Sequence, residues 1–362
     1  MQETVLFAKI YGAIAASRIA SSMGANCEGW SVEQIEAKYG RIDHFLPLKY
    51  CANYEQLELL PGTTEDGIER QKFMCLAIRD AGGRITAQDL TQAWLKYGDP
   101  EKMRISMGWW DVDLYKLAGT AIPASEIGRF LPWHEVVSFA RSCHPIGLIN
   151  ACDPRQAALD AMEVSRLYTS PAMYSHGPEW AAVVAAAIAE AVSPEATIDS
   201  VIKAATAYVS DSVRQEVLDG ITLADKFKDV YDMRQAFNEK YHAVGLCCAM
   251  SMCPEIVTKG LAIFYKTKGD AVASILGGVN FGRDTDCTAA VAAGIAGAFQ
   301  GVHAIPGEWI ETVDNATKQH RLTVSQMTLE EDSRHLYEAL LNEYHRARQR
   351  SELLARADAP QA

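Results

Sequence analysis

Two short stretches place carboxylates where they could do chemistry. Residues 277–301, GGVNFGRDTDCTAAVAAGIAGAFQG, deliver Asp284 and Asp286 from a glycine-rich turn to the start of a small-residue helix. Side chains there project out of the helix end, and oxygen ligands so placed suit a hard divalent cation. Thr63-Thr64-Glu65-Asp66 has the same layout, just ahead of the amphipathic run 68–78. Each stretch also has a plainer reading. Asp284 reads as an N-cap and Asp286 as a first-turn charge favoured by the helix dipole, while residues 63–66 read as a capping motif. What separates the readings is convergence: carboxylates from both turns in one place would repel one another unless a cation neutralised them.

Bringing residue 65 to residue 285 requires a fold that returns the chain on itself. Apolar residues recur mostly at helical spacing, and alternating β-branched runs are scarce, so the chain reads as all-α. Predicted helices include residues 5–20, 32–39, 65–81, 178–192, 243–252, 257–267, 286–300 and 329–354. Many are rich in Ala and Gly, which lets helix axes approach closely. No Pro/Ser/Gly-rich linker divides them, so residues 1–356 are expected to form one compact multi-helix bundle, with 357–362 a flexible tail. Residues 97–132 show weak periodicity and several Gly and Pro, which predicts a long functional loop.

Composition narrows the partners. The 362 residues are 49% hydrophobic and 22% charged, which is ordinary for a globular protein. A net charge of −12 argues against a grip on a nucleic-acid polymer, because that binding needs a basic patch. A small phosphorylated or ribosylated molecule remains acceptable, since helix N-termini and bound cations receive anions on an acidic protein. The nine cysteines are an odd, scattered set that fits a reducing compartment. Cys247, Cys248 and Cys253 lack paired spacing and read as buried thiols rather than a soft-metal cluster. Glu3 precedes and Lys9 interrupts the apolar N-terminal stretch, which reads as a core helix and not a secretion signal. Residues 181–192 are too short to span a bilayer. The expectation is a cytoplasmic protein with no membrane partner. The amphipathic stretch 330–356 suits packing on the core or on a partner chain, which leaves homo-oligomerisation open.

Three further side chains carry alternatives. Trp109 and Trp110 either stack on a base or cover a ribose, or simply pack locally. His176, just before Gly177-Pro178, either caps the next helix or contacts a phosphate or ribose.

At this point the motifs meet a known pattern. GRDTDCTAAVAAGIAGAFQGVHAIPGEW, which begins at Gly282, resembles the C-terminal signature of the ADP-ribosylglycohydrolase family: Gly-x-Asp-x-Asp-Thr, a small-residue helix, then Ile-Pro and Trp. GAIAASRIASSMGANCEGW resembles the family's opening, TTEDG stands where the family has Thr-Asp-Asp-Thr, and YSHGPEWAAVVAAAIAEA is similar to its central helix start. Order and spacing agree over residues 7–310.

The resemblance implies an all-α fold, one or two Mg²⁺ or Mn²⁺ ions, and cleavage of a ribosyl glycosidic bond. Carried over by position, it gives Thr64, Glu65, Asp66, Asp284, Asp286 and Cys287 as metal ligands. Glu28 matches the glutamate of the N-terminal turn and joins Glu65 and Asp66 as a catalytic carboxylate. His176, Trp109, Trp110 and Gly282 make up the expected substrate-binding set. This chain departs from the pattern in several places. Glu65 replaces an aspartate, Gly67 a threonine and Cys287 a hydroxyl residue; Ala20-Ser21 stands for Gly-Asp and Asn26 for a proline. The Gly- and Asn-rich segment that precedes Arg and Pro-Leu-Gly in the family is not evident, and RSCHPIGL, residues 141–148, keeps only the Pro-Ile-Gly end. The expected activity is metal-dependent hydrolysis of an ADP-ribosyl adduct. The alternatives are hydrolysis of a smaller ribosyl compound such as a nucleoside, or ligand binding without turnover.

Overall fold

The computed structural model describes residues 4–52, 55–131, 135–137, 139–169, 175–242 and 251–358. Among these, eighteen α-helices build an all-α bundle. One β-hairpin, Leu48–Ala52 with Glu55–Leu59, pairs antiparallel with Leu48 opposite Leu59. No described helix is long and apolar enough to cross a membrane.

The bundle is organised around two helices whose sequences are unusual for being small on nearly every face. Helix Val5–Gly24 starts at Thr4, whose hydroxyl accepts from the Phe7 amide, and almost all of its length from Phe7 onward is buried. Helix Thr285–Gln300 is buried just as completely. They cross where Gly12 meets Gly297. A Cβ on Gly12 would lie 2.4 Å from the Gly297 carbonyl oxygen, and a Cβ on Gly297 2.1 Å from that of Gly12. Glycine is required there because the backbones touch, not for backbone freedom. At the other end, a Cβ on Gly24 would lie 2.8 Å from the Asp286 backbone, and the Thr285 hydroxyl bonds the Gly24 carbonyl at 2.8 Å. The close crossing thus sets the end of the first helix against the start of the second.

Helix Gly177–Ala191 is buried along nearly all of its length and packs beside them, and one cluster of buried apolar side chains extends from Phe7 to Ala339. Burial of this kind is the main stabilising term, roughly 25 cal/mol for each Å² of apolar surface removed from water.

Several expectations need correction. Residues 97–132 are not a long loop: helices Pro100–Ser106, Trp109–Ala118 and Ala124–Ile127 occupy most of the stretch. Each is too short to show a full hydrophobic stripe, which is why the pattern looked aperiodic. Helix Ala271–Val279 was concealed by its glycines; Gly277 and Gly278 are packing positions against Val230 and Ala289. Residues 243–250 of the expected helix 243–252, Cys247 and Cys248 among them, lie outside the described residues, as does most of the expected tail 357–362. Met252, at the helix's expected end, is extended and bridges to Val136. The six cysteines whose side chains are described are all free.

Candidate functional site

The two acidic turns are helix caps, and they also face each other. Glu65 is the N-cap of helix Asp66–Ala81, its Oε2 accepting from the Gly67 amide at 2.8 Å. Asp284 is the N-cap of helix Thr285–Gln300, its Oδ1 accepting from the Cys287 amide at 3.2 Å. The loop before Asp284 is fixed by Gly282 at φ +80° and Arg283 at φ +63°. It is tied to the turn at Glu28: the Gly29 amide bonds the Arg283 carbonyl at 2.8 Å, and the Arg283 amide bonds the Trp30 carbonyl at 2.7 Å. Glycine at 282 therefore serves backbone geometry, which brings Glu28 beside Asp284 and Asp286.

Between the turns lies a guanidinium. Arg141 meets Glu65 in a two-pronged pair, Nη1 to Oε2 and Nη2 to Oε1, both at 2.8 Å, and Nη2 also donates to Asp286 Oδ2 at 2.9 Å. Ser21, on the first helix, donates its hydroxyl to Glu65 Oε1 and lies 3.4 Å from Arg141 Nη2. Arg141 is held from behind: its amide bonds the Val137 carbonyl at 3.0 Å, Val137 bonds Ser251 at 2.8 Å, and the neighbouring Ser142 hydroxyl bonds the Gly67 carbonyl at 2.9 Å. Asp66 is taken at 2.8 Å by Arg70, whose guanidinium also pairs with buried Asp111 at 2.7 and 2.9 Å.

The second turn is less satisfied. Asp284 Oδ2 and Asp286 Oδ1 are buried and have no hydrogen-bond partner among the described residues. Burial raises the Asp284 carboxyl well above its ordinary range, and repulsion from Asp286 adds to it. Asp286 is raised by burial too, though Arg141 opposes the shift. Glu28 is pushed up to about 9, first by the Asp286 carboxylate, then by burial and by Asp66. Glu65 goes the other way: burial works against its charge, yet the Arg141 guanidinium and its hydrogen bonds hold the carboxyl well below the usual range. Burial also keeps Cys287 a thiol.

These groups border a cavity of about 400 Å³. Glu28, Asp66, Asp286 and Cys287 line it with Arg141, and Trp109 and Trp110 form its more exposed rim at 43% and 37% exposure. Of the residues singled out in the sequence, these six come together. Asp284 is wholly buried behind Asp286, and Glu65 lies behind Arg141. The Thr64 hydroxyl is turned to Lys72 Nζ at 3.3 Å. His176 does not line the cavity; its ring bonds Glu179 at 2.7 Å and its amide bonds Glu135 at 2.7 Å.

A divalent cation fits one corner of this site and not the other. The side-chain ligand atoms of Asp284, Asp286 and Cys287 lie within 4.8 Å of one another, and the two unpartnered oxygens are the hard donors such an ion takes. The Cys287 thiol is a poor third ligand. At the other turn both Glu65 oxygens are already taken by Arg141.

Sequence reasoning missed Arg141, Ser21 and Arg70. A signal existed for the first two, because the departures at Ser21, Glu65 and Gly67 all concern the surroundings of one side chain.

The all-helical bundle brings two acidic helix starts together at one cavity, and the family is shown by sequence. A sequence model described as ADP-ribosylglycohydrolase matches residues 2–349, and the chain belongs to that family. Among solved structures, one titled as an ADP-ribosylglycohydrolase-related protein complex superposes with a TM-score of 0.61 at 16% identity. That match covers 92% of this chain and 97% of the other, and shows the shared fold. No curated protein sequence matches the chain.

Proposed function

We propose that the protein hydrolyses the ribosyl glycosidic bond of an ADP-ribosyl adduct, with one hard divalent cation, Mg²⁺ or Mn²⁺, at the Asp284–Asp286 corner. The observation that carries this reading is the convergence of Glu28, Asp66 and Asp286 on one cavity, beside two buried carboxylate oxygens without hydrogen-bond partners among the described residues. A cation bound there would align vicinal ribose hydroxyls and favour an attacking water.

The chain's own groups supply the rest. Glu28 borders the cavity and has no basic hydrogen-bond partner among the described residues. A cation at the Asp284–Asp286 corner would offset the carboxylate repulsion that pushes its carboxyl up to about 9, leaving it ionised and placed to accept a proton from the water. Asp66, fixed by Arg70, offers negative charge to the oxocarbenium-like ring of the transition state. Glu65, with both oxygens held, positions Arg141 and takes no proton. Trp109 and Trp110 offer aromatic faces to the base or ribose.

One observation favours a smaller ribosyl compound as the second reading. Both arginines on the cavity wall, Arg70 and Arg141, are committed to carboxylates, so neither presents a free fork to a diphosphate. Product release from ADP-ribosyl-arginine and ADP-ribosyl-serine peptides, and from free nucleosides, each with Mg²⁺ or Mn²⁺, separates the two. Turnover of the adducts supports the first reading and turnover of nucleosides alone supports the second. Tight ligand binding with no turnover on any arm would identify a non-catalytic binder and contradict both.

A further inference from the structure

We infer that the Arg141 guanidinium is a built-in cation that stands in for one metal ion of the two-turn acidic site, so that the site admits one divalent ion and not two. The inference deepens the proposed function and rests on it only for the identity of the remaining ion.

Three independent observations meet at this side chain. The first is its bonding. Arg141 spans the two turns, with two bonds to Glu65 and one to Asp286, and it is only 1% exposed. A group that links carboxylates from both helix starts holds the position a bridging cation would hold, and a planar guanidinium does so with directed donors.

The second is space. A Cβ at residue 67 would lie 1.2 Å from Arg141 Nη1 and 2.1 Å from Cζ, so any side chain there excludes the guanidinium from its present position. Gly67 has helical backbone at the second position of helix Asp66–Ala81, so its backbone conformation does not itself call for glycine. The resemblance to Thr-Asp-Asp-Thr would put a hydroxyl residue here, and its loss opens the volume that Arg141 fills.

The third is the chemistry of the surrounding exchanges. Glu65 is one methylene longer than aspartate and turns both oxygens to the guanidinium while Oε2 still caps the helix. Ser21 donates a neutral hydroxyl to Glu65 where an acid would add another charge. The departures at 21, 65 and 67 are thus one change: an acid removed, an acid lengthened and a side chain deleted, all around one buried cation. Arg141 reaches only Oδ2 of Asp286, so Asp286 Oδ1 and Asp284 Oδ2 stay buried without a hydrogen-bond partner among the described residues. Those two oxygens leave the 284–286 corner in need of its ion.

The test counts Mn²⁺ bound per full-length chain by equilibrium dialysis, with free Mn²⁺ read by electron paramagnetic resonance. The chains are the wild type, R141A, G67A and the double variant R141A/E65Q. The increment over wild type is the readout: R141A or G67A should bind one additional Mn²⁺, and E65Q should abolish the increment. G67A keeps the arginine but evicts it, so the test survives if R141A does not fold. R141A and G67A both remaining at the wild-type count would overturn the inference, as would a wild-type chain that already binds two ions. A wild type that binds none would count against the proposed hydrolytic cation instead, and the increment would still decide the role of Arg141.

Discussion

The turn at 64–67 and the turn at 284–287 are built alike and finished differently. In both, an acidic N-cap accepts a main-chain amide and a second acid follows within the first turn. At the first, Arg141, Ser21 and Arg70 satisfy nearly every oxygen. At the second, Asp284 Oδ2 and Asp286 Oδ1 are buried without hydrogen-bond partners among the described residues. The first turn has its carboxylates paired with arginines, and the second keeps two buried oxygens that the proposed cation would satisfy. A buried carboxylate is stabilising or costly according to its partner and not its position.

Substitutions at matching positions should therefore have opposite effects. E65Q breaks a buried bidentate pair and leaves Arg141 short of an acceptor; chemical denaturation should show a loss of about 3–5 kcal/mol. A loss under 1 kcal/mol would mean the two turns are alike after all. E28Q should lower turnover by roughly 10²–10⁴-fold, the range for a lost general base, with the melting temperature little changed. Unchanged turnover would move the proton-accepting role to another group.

D284N sharpens the contrast through pH. Asparagine caps a helix about as well as aspartate, so the substitution removes charge and keeps the cap. The Asp284 carboxyl is raised above 3.8 in the folded chain, so the native state binds more protons than the unfolded one as pH rises from about 4. Stability in chelator should then fall with rising pH across that window. D284N should flatten the fall and match or exceed the wild type by about 1 kcal/mol near neutral pH, while losing bound Mn²⁺. A D284N chain that is less stable than wild type in chelator at neutral pH would contradict the unfavourable burial of this carboxylate. W110A should have the smallest effect, raising KM several-fold with kcat nearly constant if the rim stacks on substrate at roughly 1 kcal/mol. An unchanged KM would reduce the tryptophan to local packing.

Much of this was legible in the residues, and the reasons are local. The cap at Asp284 follows from residue type and spacing. A capping motif was legible at 63–66, although the pattern starts the helix at Glu65, which is the N-cap itself. Helix Val32–Tyr39 was bounded to the residue, with Ser31, Gln34 and Gly40 marking its ends. The capping and converging readings of the acidic turns proved compatible, since the same side chains do both. Arg141 was not legible, because an arginine amid Ser, Cys and Pro carries no periodic signal and its partners lie 76 and 145 residues away. The hairpin Leu48–Ala52 with Glu55–Leu59 escaped notice because its alternation is brief. Helices between 97 and 132 were hidden for a related reason: three short elements present three partial stripes.

The arrangement proposed is two acidic turns at one cavity, with one ion and one arginine between them. Crystals grown with Mn²⁺ and measured at an anomalous wavelength test this directly. A single anomalous peak beside Asp284 and Asp286, with Arg141 still between Glu65 and Asp286, is the predicted result. Two peaks with the guanidinium swung away, or a peak at neither turn, would contradict it.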